Sequence, residues 1–341
     1  MSRSALLTEM NASQNPYHQD LLAEGVGYVP WSIWPGEPIQ ITVNIWMILG
    51  FLAGLFLVFN LKDVPGIWHL RILNAFRFTL KSQRSPVKPS TKHIFQPLVT
   101  ETSAPLLEID FNLHKTNSSY FTDLDISRTH LVCTLFAEGI EKLRGGTGAY
   151  TGSGVPPLGL ALGAVSCNFR KEVLPYQQYE VWSKVLTWDD KWLYIVTHFV
   201  RKDSSVPKHS SLYPSTFVGE QDSGTSTPLE HPNKNAIFAT ALSRCVWKLG
   251  RKTITPSEIF LKSDIFPSKS CSETELASIE LRRLKGLEIA KALDAEAQRA
   301  LEAEYDEQEE DILARHTDGT GFTGVCGTLC QLAHLKRKQI L

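Results

Sequence analysis

The sequence predicts an α+β domain in which an antiparallel sheet wraps around one long helix, with an N-terminal transmembrane helix before it and a helical tail after it. Three observations support this prediction. Residues 41–61 carry no charge, a helical pattern begins near residue 117, and four alternating strand patterns follow that helix. One strand, one helix and then several antiparallel strands are typical of a sheet packed on a single helix.

The composition of the chain excludes several classes of protein. The 341 residues include 35 Lys and Arg against 36 Asp and Glu, giving a formal net charge of −1. This balance argues against a nucleic-acid partner, which needs a basic face to neutralise phosphates. Six cysteines without zinc-like spacing argue against a disulfide-stapled fold or a metal site and favour a reducing compartment. We expect no metal and no cofactor.

A segment of 40 residues precedes the apolar stretch over 41–61, which only Thr42, Asn44 and Asn60 interrupt. As a helix this stretch would be roughly 30 Å long, enough to cross a bilayer. The alternative, a buried core helix, would normally be shorter and amphipathic. The length of the preceding segment disfavours a cleavable signal peptide. Basic residues are concentrated after the stretch and acidic residues before it, which predicts that the C-terminal part faces the cytosol.

A basic linker is predicted over 62–95, followed by a compact domain over 96–265. The domain begins with a short strand at 106–111. Asn117 or Ser118 then caps a helix, along which apolar residues and one arginine recur every three or four positions. These recurring residues are Phe121, Leu124, Arg128, Leu131 and Leu135.

Four strands are predicted after the helix, at Leu160–Arg170, Tyr179–Trp188, Lys191–Val200 and Ala236–Trp247. Asp189 and Asp190 separate the second and third strands. Adjacent carboxylates can form an acid/base pair or a metal site, but between two strands they favour a hairpin turn. Residues 202–235 are dense in Ser, Pro, Thr and Gly and predict a flexible inserted loop.

A charged helix is predicted over 272–315, with Ser272 and Glu275 forming a capping box at its start. The tail over 316–341 contains Cys326 and Cys330. Their spacing does not decide between palmitoylated cysteines and exposed thiols.

The segment from Glu108 to Tyr120 concentrates chemically active side chains ahead of the predicted helix. It places Asp110, Asn112, His114 and Asn117 in the pattern D-x-N-x-H-x-x-N. A carboxylate there can act as general base or nucleophile, and the free N–H groups of a helix start can stabilise an oxyanion. The same residues also suit turns and helix caps, so the pattern alone leaves both readings open.

This segment resembles the signature of the hotdog-fold thioesterases, including the plant acyl-carrier-protein thioesterases. It is most similar to membrane-anchored thioesterase-superfamily-member proteins and their fungal relatives from biosynthetic gene clusters. The resemblance covers roughly 41–262 and includes the stretches at 169–172, 174–180 and 186–192. It implies catalytic roles for Asp110, Asn112, His114 and Glu172, and substrate-binding roles for Asn117 and Tyr120. Val173 stands where the plant enzymes have a cysteine, so a cysteine nucleophile at that place is excluded.

The resemblance implies a homodimeric thioesterase of the endoplasmic reticulum membrane with its catalytic domain facing the cytosol. Its substrates would be acyl thioesters of coenzyme A or of an acyl carrier protein, and it would release a polyketide or fatty-acyl precursor in fungal specialised metabolism. Whether Asp110 is base or nucleophile stays open. A non-catalytic module that binds acyl-CoA or lipid as a scaffold is the alternative. A dehydratase or isomerase fits less well, because hotdog enzymes of those classes place their histidine and carboxylate in other patterns.

Overall fold

The computed structural model describes residues 27–31, 39–145, 154–202, 204, 209–214, 236–266, 272–291, 301, 303–305 and 311–334. The chain divides into two compact units, Met1–Phe59 and Asn60–Leu341. In the first unit, β1 (Gly27–Trp31) pairs antiparallel with β2 (Ile39–Val43), and helix α1 (Ile45–Phe59) follows.

Helix α1 differs from the helix predicted over 41–61. Residues up to Val43 are hydrogen-bonded to β1, and the side-chain oxygen of Asn44 accepts the N–H of Met47 at 2.9 Å, so the helix begins only at Ile45. It contains 15 residues. Across the described parts of the chain, no helix combines the length and the apolar character that crossing a bilayer requires.

The second unit begins with residues that the sequence assigns to a linker. Helix α2 (Ile67–Phe76) and short 3-10 turns occupy much of 60–95, and several apolar side chains along this segment are buried. Among them are Ile67, Phe78, Leu80, Ile94 and Phe95. The segment is therefore folded as part of the second unit. Its apolar residues are interspersed with basic ones along the chain, and these buried apolar side chains pack into the unit.

The main sheet has seven strands. They are β3 (Leu98–Ser103), β4 (Leu158–Phe169), β5 (Gln178–Trp188), β6 (Leu193–Arg201), β8 (Ile237–Leu249), β9 (Lys252–Ile254) and β11 (Ala314–Thr317). The order is β11-β3-β5-β6-β8-β4, with β9 paired to β8. All pairs are antiparallel except β11 with β3. The predicted α+β architecture is confirmed.

Helix α3 (Asn117–Leu135) is the long helix that the sheet packs on, and α4 (Ala137–Arg144) continues from it. Leu131 and Leu135 join the main core together with Val185 of β5 and Ile195 of β6. Polar contacts fix the helix further, since the Ser127 hydroxyl oxygen lies 2.8 Å from that of Ser183 on β5. The buried face of α3 therefore carries both apolar and small polar side chains.

The start of the domain differs from the prediction at one strand. The strand lies earlier, at Leu98–Ser103, and Leu106–Glu108 forms a 3-10 turn instead of the strand predicted over 106–111.

The predicted hairpin turn is confirmed, because Asp189 Oδ1 accepts the N–H groups of Lys191 and Trp192. Within the loop predicted over 202–235, the described residues include a short strand, β7 (His209–Ser210). Residues 215–235 lie outside the described residues.

The C-terminal part adds α5 (Pro256–Lys262), α6 (Glu273–Lys291), β10 (Asp311–Ile312) and α7 (Gly321–Ala333). The capping box is confirmed, since the Ser272 hydroxyl accepts the Glu275 N–H and the Glu275 carboxylate accepts the Ser272 N–H. The prediction of helix up to residue 315 was wrong at its end. Residues 311–312 and 314–317 are strands, because β10 pairs with β7 and β11 extends the sheet beside β3.

Candidate active site

Residues 109–115 form a tight loop immediately before α3. Ile109 and Lys115 face each other as an isolated antiparallel bridge. Inside the bridge, the Asp110 N–H donates to the His114 carbonyl at 2.9 Å, and the Leu113 N–H donates to the Asp110 carbonyl at 3.0 Å. The two arms of the loop are thus held together, which places Asp110 beside His114.

The side chains of Asp110 and His114, two of the residues that the sequence singles out, lie next to each other. Asp110 Oδ1 lies 3.6 Å from His114 Nδ1, and the two side chains are 30% and 22% exposed. This separation is too long for a direct hydrogen bond but short enough for an ion pair or for one bridging water. The pair is open to solvent, so a small molecule can reach the carboxylate and the imidazole together.

Asn112 and Leu113 form the tip of the loop. The Asn112 N–H donates to Asp110 Oδ1 at 2.8 Å, an Asx turn that fixes the orientation of the carboxylate. Leu113 adopts a left-handed backbone with φ of 62°, which is uncommon for a residue other than glycine. Such strain is found most often at functional sites. The side chain of Asn112 is exposed beside the pair.

Helix α3 begins at Asn117, which is earlier than a cap at Asn117 or Ser118 would require, so the predicted cap was wrong. Thr116, with an extended backbone, is the residue before the first turn, and its hydroxyl oxygen lies 2.7 Å from that of Ser118. The N–H groups of Asn117 and Ser118 have no carbonyl partner inside the helix, because they lie in its first turn. They provide the positive end of the helix dipole close behind the loop.

Tyr120 lies one turn into α3 and is only 2% exposed. Its ring packs edge-on against Phe169 and Phe199, and Lys115 Nζ lies 5.2 Å from the ring centre. Burial raises the pKa of the phenol. These contacts make Tyr120 a core residue beneath the loop, and little of its side chain is accessible to a substrate.

Glu172 lies after the end of β4 and its side chain is exposed. The next residue, Val173, is buried, and its carbonyl accepts the Lys115 N–H at 2.8 Å. One backbone hydrogen bond therefore joins the segment of Glu172 to the arm of the loop that carries His114. The prediction that Glu172 takes part in the site stays a prediction.

A buried ionic cluster lies beneath the loop and was missed in the sequence. Lys115 Nζ lies 2.5 Å from Glu108 Oε2 and 3.1 Å from Asp123 Oδ2. Lys62 Nζ lies 2.8 Å from Glu108 Oε1 and 3.0 Å from Asp123 Oδ1, and it donates to the Ser103 carbonyl. Two lysines and two carboxylates are thus interleaved at the base of the loop.

The cluster continues to the other end of the chain. Arg71 on α2 bridges Asp123, at 2.9 Å, and Asp318, at 3.1 Å. The Tyr179 hydroxyl donates to Asp123 Oδ2 at 2.5 Å. With Arg71 and Asp318 included, three cations face three carboxylates, and all of these side chains are at most 5% exposed. We call these six charged residues and Tyr179 the ionic cluster.

The pKa shifts show which charges the cluster stabilises. Burial by itself raises the pKa of Asp123, but Lys115, Lys62 and Arg71 outweigh it and hold that pKa well below its usual range. Burial raises the pKa of Glu108 and lowers that of Lys115. Asp123 is therefore the firmly ionised centre, around which the cations are arranged.

The signal for this cluster was present in the sequence but weak. Asp123 is buried on α3, although its position in the sequence suggests only a favourable interaction with the helix dipole. Glu108 lies two residues before Asp110, and Lys115 directly follows His114. Their partners Lys62, Arg71 and Asp318 are far away in the sequence, and no local pattern links them.

The chain is similar in sequence to known thioesterases. A model of the thioesterase-like superfamily matches residues 104–248. A probable thioesterase of Emericella nidulans, atnL, is 36% identical over 62% of this chain and 70% of its own. Thioesterase poxG of Penicillium oxalicum is 34% identical over 68% of this chain and 79% of its own.

The chain belongs to the thioesterase-like superfamily. It is a hotdog-fold thioester hydrolase. Among solved structures, the probable thioesterase YbaW of Escherichia coli aligns with 12% identity and a TM-score of 0.32, over 48% of this chain and 94% of that one.

The matched region of this thioesterase contains the loop and α3 but only part of the ionic cluster. Glu108, Lys115 and Asp123 lie within 104–248, whereas Lys62, Arg71 and Asp318 lie outside it. The segments on both sides of the superfamily domain therefore complete the charge balance beneath its loop.

The cysteines of the thioesterase core are poor nucleophiles. Burial raises the pKa of Cys133 on α3 and of Cys167 on β4 to about 12, and that of Cys245 on β8 to about 11. A thiol with such a pKa is almost wholly protonated at neutral pH. Cys133 and Cys167 therefore act as small packing residues rather than as nucleophiles.

Proposed function

We propose that the loop carrying Asp110 and His114 is the catalytic site and that it hydrolyses acyl thioesters of coenzyme A or of an acyl carrier protein. The observation that carries this proposal is the carboxylate and imidazole 3.6 Å apart, partly exposed, immediately before the start of α3. A base, an orienting group and free helix-start N–H groups are the parts that acyl transfer to water requires.

In the proposed reaction, Asp110 takes a proton from a water molecule as that water attacks the thioester carbonyl carbon. His114, or Glu172 from the neighbouring segment, orients the water. The N–H groups of Asn117 and Ser118, with the Asn112 amide, stabilise the oxyanion of the tetrahedral intermediate. Collapse of the intermediate breaks the carbon–sulfur bond and returns the proton to the leaving thiolate, giving a free acid and a thiol.

A second route uses Asp110 as the nucleophile. Its carboxylate would attack the thioester carbonyl, expel the thiolate and form a mixed anhydride, which water then hydrolyses. A single turnover in H₂¹⁸O tests the second route. Label in the Asp110 carboxylate supports the nucleophile, because a general base forms no bond to the oxygen of the attacking water.

The decisive variant is Asp110→Asn. Asparagine can still accept the Asn112 N–H through its side-chain oxygen, so the loop keeps its Asx turn while it loses the base. We expect thiol release from acyl-CoAs of several chain lengths to fall by at least about a hundredfold. Asp190→Asn, in the exposed β5–β6 hairpin, is the matched control. If Asp110→Asn releases thiol as fast as the wild type, Asp110 is neither the general base nor the nucleophile. Binding of acyl-CoA without thiol release by the wild type would favour the acyl-binding scaffold.

We also propose that the enzyme is a homodimer. Strand β4 lies at the end of the main sheet and, among the described residues, is hydrogen-bonded only to β8. Leu162 and Phe169 on this strand are exposed, as is Phe111 at the tip of the loop. A long apolar edge of this kind favours a second copy of the chain. Sedimentation velocity tests this proposal, and a monomer at micromolar concentration contradicts it.

Membrane attachment is a further proposal. Every side chain of α1 is exposed, including Trp46 at 75%, and none carries a charge. Such a surface suits contact with lipid, although the 15 residues of α1 give about 22 Å of helix, less than a bilayer core. Retention in the membrane pellet after alkaline carbonate extraction supports attachment. Protease protection of tagged ends in endoplasmic reticulum vesicles tests the proposed cytosolic orientation.

The proposed biological role is release of a polyketide or fatty-acyl precursor in fungal specialised metabolism. It rests on similarity to fungal thioesterases, including lcsJ of Purpureocillium lilacinum, 29% identical over 74% of this chain. A polyketide or peptide synthase gene beside this one supports the role. Loss of a defined acid product on deletion of the gene is the direct test.

A further inference from the structure

A polar cleft lies away from the Asp110 loop, between the end of α2, the residues around β7 and strand β11. It has a volume of about 290 Å³. Arg77, Ser210, Tyr213, Arg315 and His316 line it. None of the described residues that line the cleft is acidic.

Each of these five side chains has one buried polar atom without a hydrogen-bond partner. The atoms are Arg77 Nε, Ser210 Oγ, Tyr213 OH, Arg315 Nε and His316 Nε2. Two of them are guanidinium N–H donors, which cannot accept, and two are hydroxyls, which can donate. Buried polar groups are normally paired, so five unpaired atoms around one cleft indicate a surface shaped for an acceptor-rich ligand.

The charge on Arg77 also favours an anion in the cleft. Arg77 donates through Nη1 to the amide oxygens of Gln83 and Gln331, and no carboxylate among the described residues pairs with it. Burial lowers the pKa of Arg77, which is the expected effect on a cation without a counter-ion. Arg315 is different, because its Nη1 lies 2.8 Å from both Glu101 and Glu180, so those carboxylates fix its position while Nε remains unpaired.

His316 completes the cleft as a neutral donor. It is 7% exposed, and burial together with Arg77 lowers its pKa to about 3, so it stays uncharged at neutral pH. Its Nδ1 lies 3.1 Å from His130 Nδ1, and only one of those two nitrogens carries the shared proton. When His130 donates, the His316 proton is on Nε2. An anion in the cleft favours this tautomer.

The lining side chains are held in place by stacking. The Phe78 ring lies parallel to His316 with ring centres 3.9 Å apart, and the Arg77 guanidinium lies 4.6 Å from the Phe78 ring centre. Tyr213 meets His316 edge-on at 5.9 Å. The donors are therefore preorganised by contacts that do not depend on a ligand, as an anion site requires.

We propose that this cleft binds a phosphate monoester. Five unpaired positions exceed what the two oxygens of a carboxylate can satisfy, and guanidinium groups match the geometry of phosphate oxygens. The volume exceeds that of a single oxyanion, and Phe78 and Tyr213 provide aromatic walls for the attached organic group. The site contains neither Asp110 nor His114, so it is independent of the proposed catalytic loop.

The test is binding of inorganic phosphate, methyl phosphate and acetate to the full-length protein at constant ionic strength, measured by calorimetry and thermal shift. We expect saturable binding of both phosphates and a rise in Tm, with acetate at least about tenfold weaker. No saturable phosphate binding, or equal binding of acetate, would overturn the proposal. Failure of methyl phosphate to bind would overturn the part that concerns an organic ester.

Two variants locate the binding. Arg77→Gln removes the cation without a carboxylate partner, and Tyr213→Phe removes one donor while keeping the ring. Each should weaken phosphate binding, Arg77→Gln by about tenfold or more. Arg282→Gln, an exposed arginine stacked on Phe95, is the matched control and should bind phosphate as the wild type does. Unchanged binding in both cleft variants would place phosphate elsewhere and contradict the assignment.

Discussion

Lys115 Nζ lies 2.5 Å from Glu108 Oε2, and these two residues stand at opposite ends of the loop that carries Asp110 and His114. The ion pair closes the loop from beneath, while the Ile109–Lys115 bridge closes its backbone. The position of the proposed catalytic carboxylate thus depends on charges that no solvent reaches.

The first prediction concerns Lys115→Met. Methionine keeps most of the length of the side chain but leaves Glu108 and Asp123 with one cation fewer in a buried site. We expect the free energy of unfolding to fall by about 3 kcal/mol, since breaking a buried pair strands the remaining charge. Urea unfolding measures this change. Lys115→Arg keeps the charge and should recover part of the loss. Unfolding of Lys115→Met at the wild-type urea midpoint would contradict a stabilising role.

The second prediction concerns acid stability. His198 on β6 is buried, its Nδ1 lies 3.2 Å from the Thr240 hydroxyl, and burial lowers its pKa to about 3. In the unfolded chain its pKa is about 6.5, so below that pH the unfolded state binds a proton that the folded state excludes. Folding stability therefore falls as the pH drops from about 6.5 towards 3, by at most about 2 kcal/mol at pH 5 for this histidine.

The measurement is the free energy of unfolding of the wild type and of His198→Gln between pH 7 and 5, in the approximate range set by the histidine pKa. The variant should show a shallower fall with decreasing pH, whatever its stability at neutral pH. Thr240→Val removes the hydroxyl but keeps the histidine, and should retain the wild-type slope. Parallel curves for His198→Gln and the wild type would show that His198 does not contribute to the pH dependence.

The third prediction compares two helical glycines. A Cβ atom on Gly286 of α6 would lie 2.7 Å from the Leu186 carbonyl oxygen and 2.8 Å from Thr187 Cβ on β5. A Cβ on Gly327 of α7 would meet no atom within 4 Å. Gly286→Ala should therefore cost about 1–3 kcal/mol by pushing α6 off the sheet, whereas Gly327→Ala should add about 0.5–1 kcal/mol. Thermal unfolding of both variants checks this, and equal effects would rule out close packing of α6.

Strands β4, β5, β6 and β8 were predictable because each has a strand pattern in its local sequence. The run Tyr179–Trp188 has the alternating pattern of a strand, and a two-aspartate turn follows it. Its antiparallel pairing with β6 can therefore be predicted from neighbouring residues alone. The strand β11 was not predictable. It pairs in parallel with β3, more than 200 residues earlier, and its short sequence Ala314–Thr317 follows a run rich in helix-forming residues. Tertiary pairing overrides local propensity there.

For the candidate site, sequence spacing identified the loop but not its support. Asp110 and His114 are four residues apart, and a tight turn brings them together. Lys62 and Asp123 are 61 residues apart, and only the folded chain shows that they meet. Each of these charges, read alone, is typical of a solvated surface, so the sequence favours that interpretation.

The fourth prediction tests whether the C-terminal segment stabilises the folded protein through the ion pair between Asp318 and Arg71. Asp318 pairs with Arg71, which in turn pairs with Asp123 on α3. Its other oxygen accepts the Thr320 N–H at 3.0 Å, a contact that asparagine can keep. Asp318→Asn should lower the free energy of unfolding by about 1.5–3 kcal/mol, because Arg71 loses a charged partner in a buried site.

Asp311→Asn, an exposed residue of the same segment, is the matched control and should change stability by less than about 0.5 kcal/mol. A double-mutant cycle between Arg71→Met and Asp318→Asn should give a coupling energy within about 0.5–3 kcal/mol. Coupling near zero, or equal effects of the two aspartate variants, would mean that the C-terminal segment is not tied to α2 through charge. A measured coupling would show that two segments outside 104–248 are joined through charge, and Arg71 links both of them to Asp123 of α3 beneath the Asp110 loop.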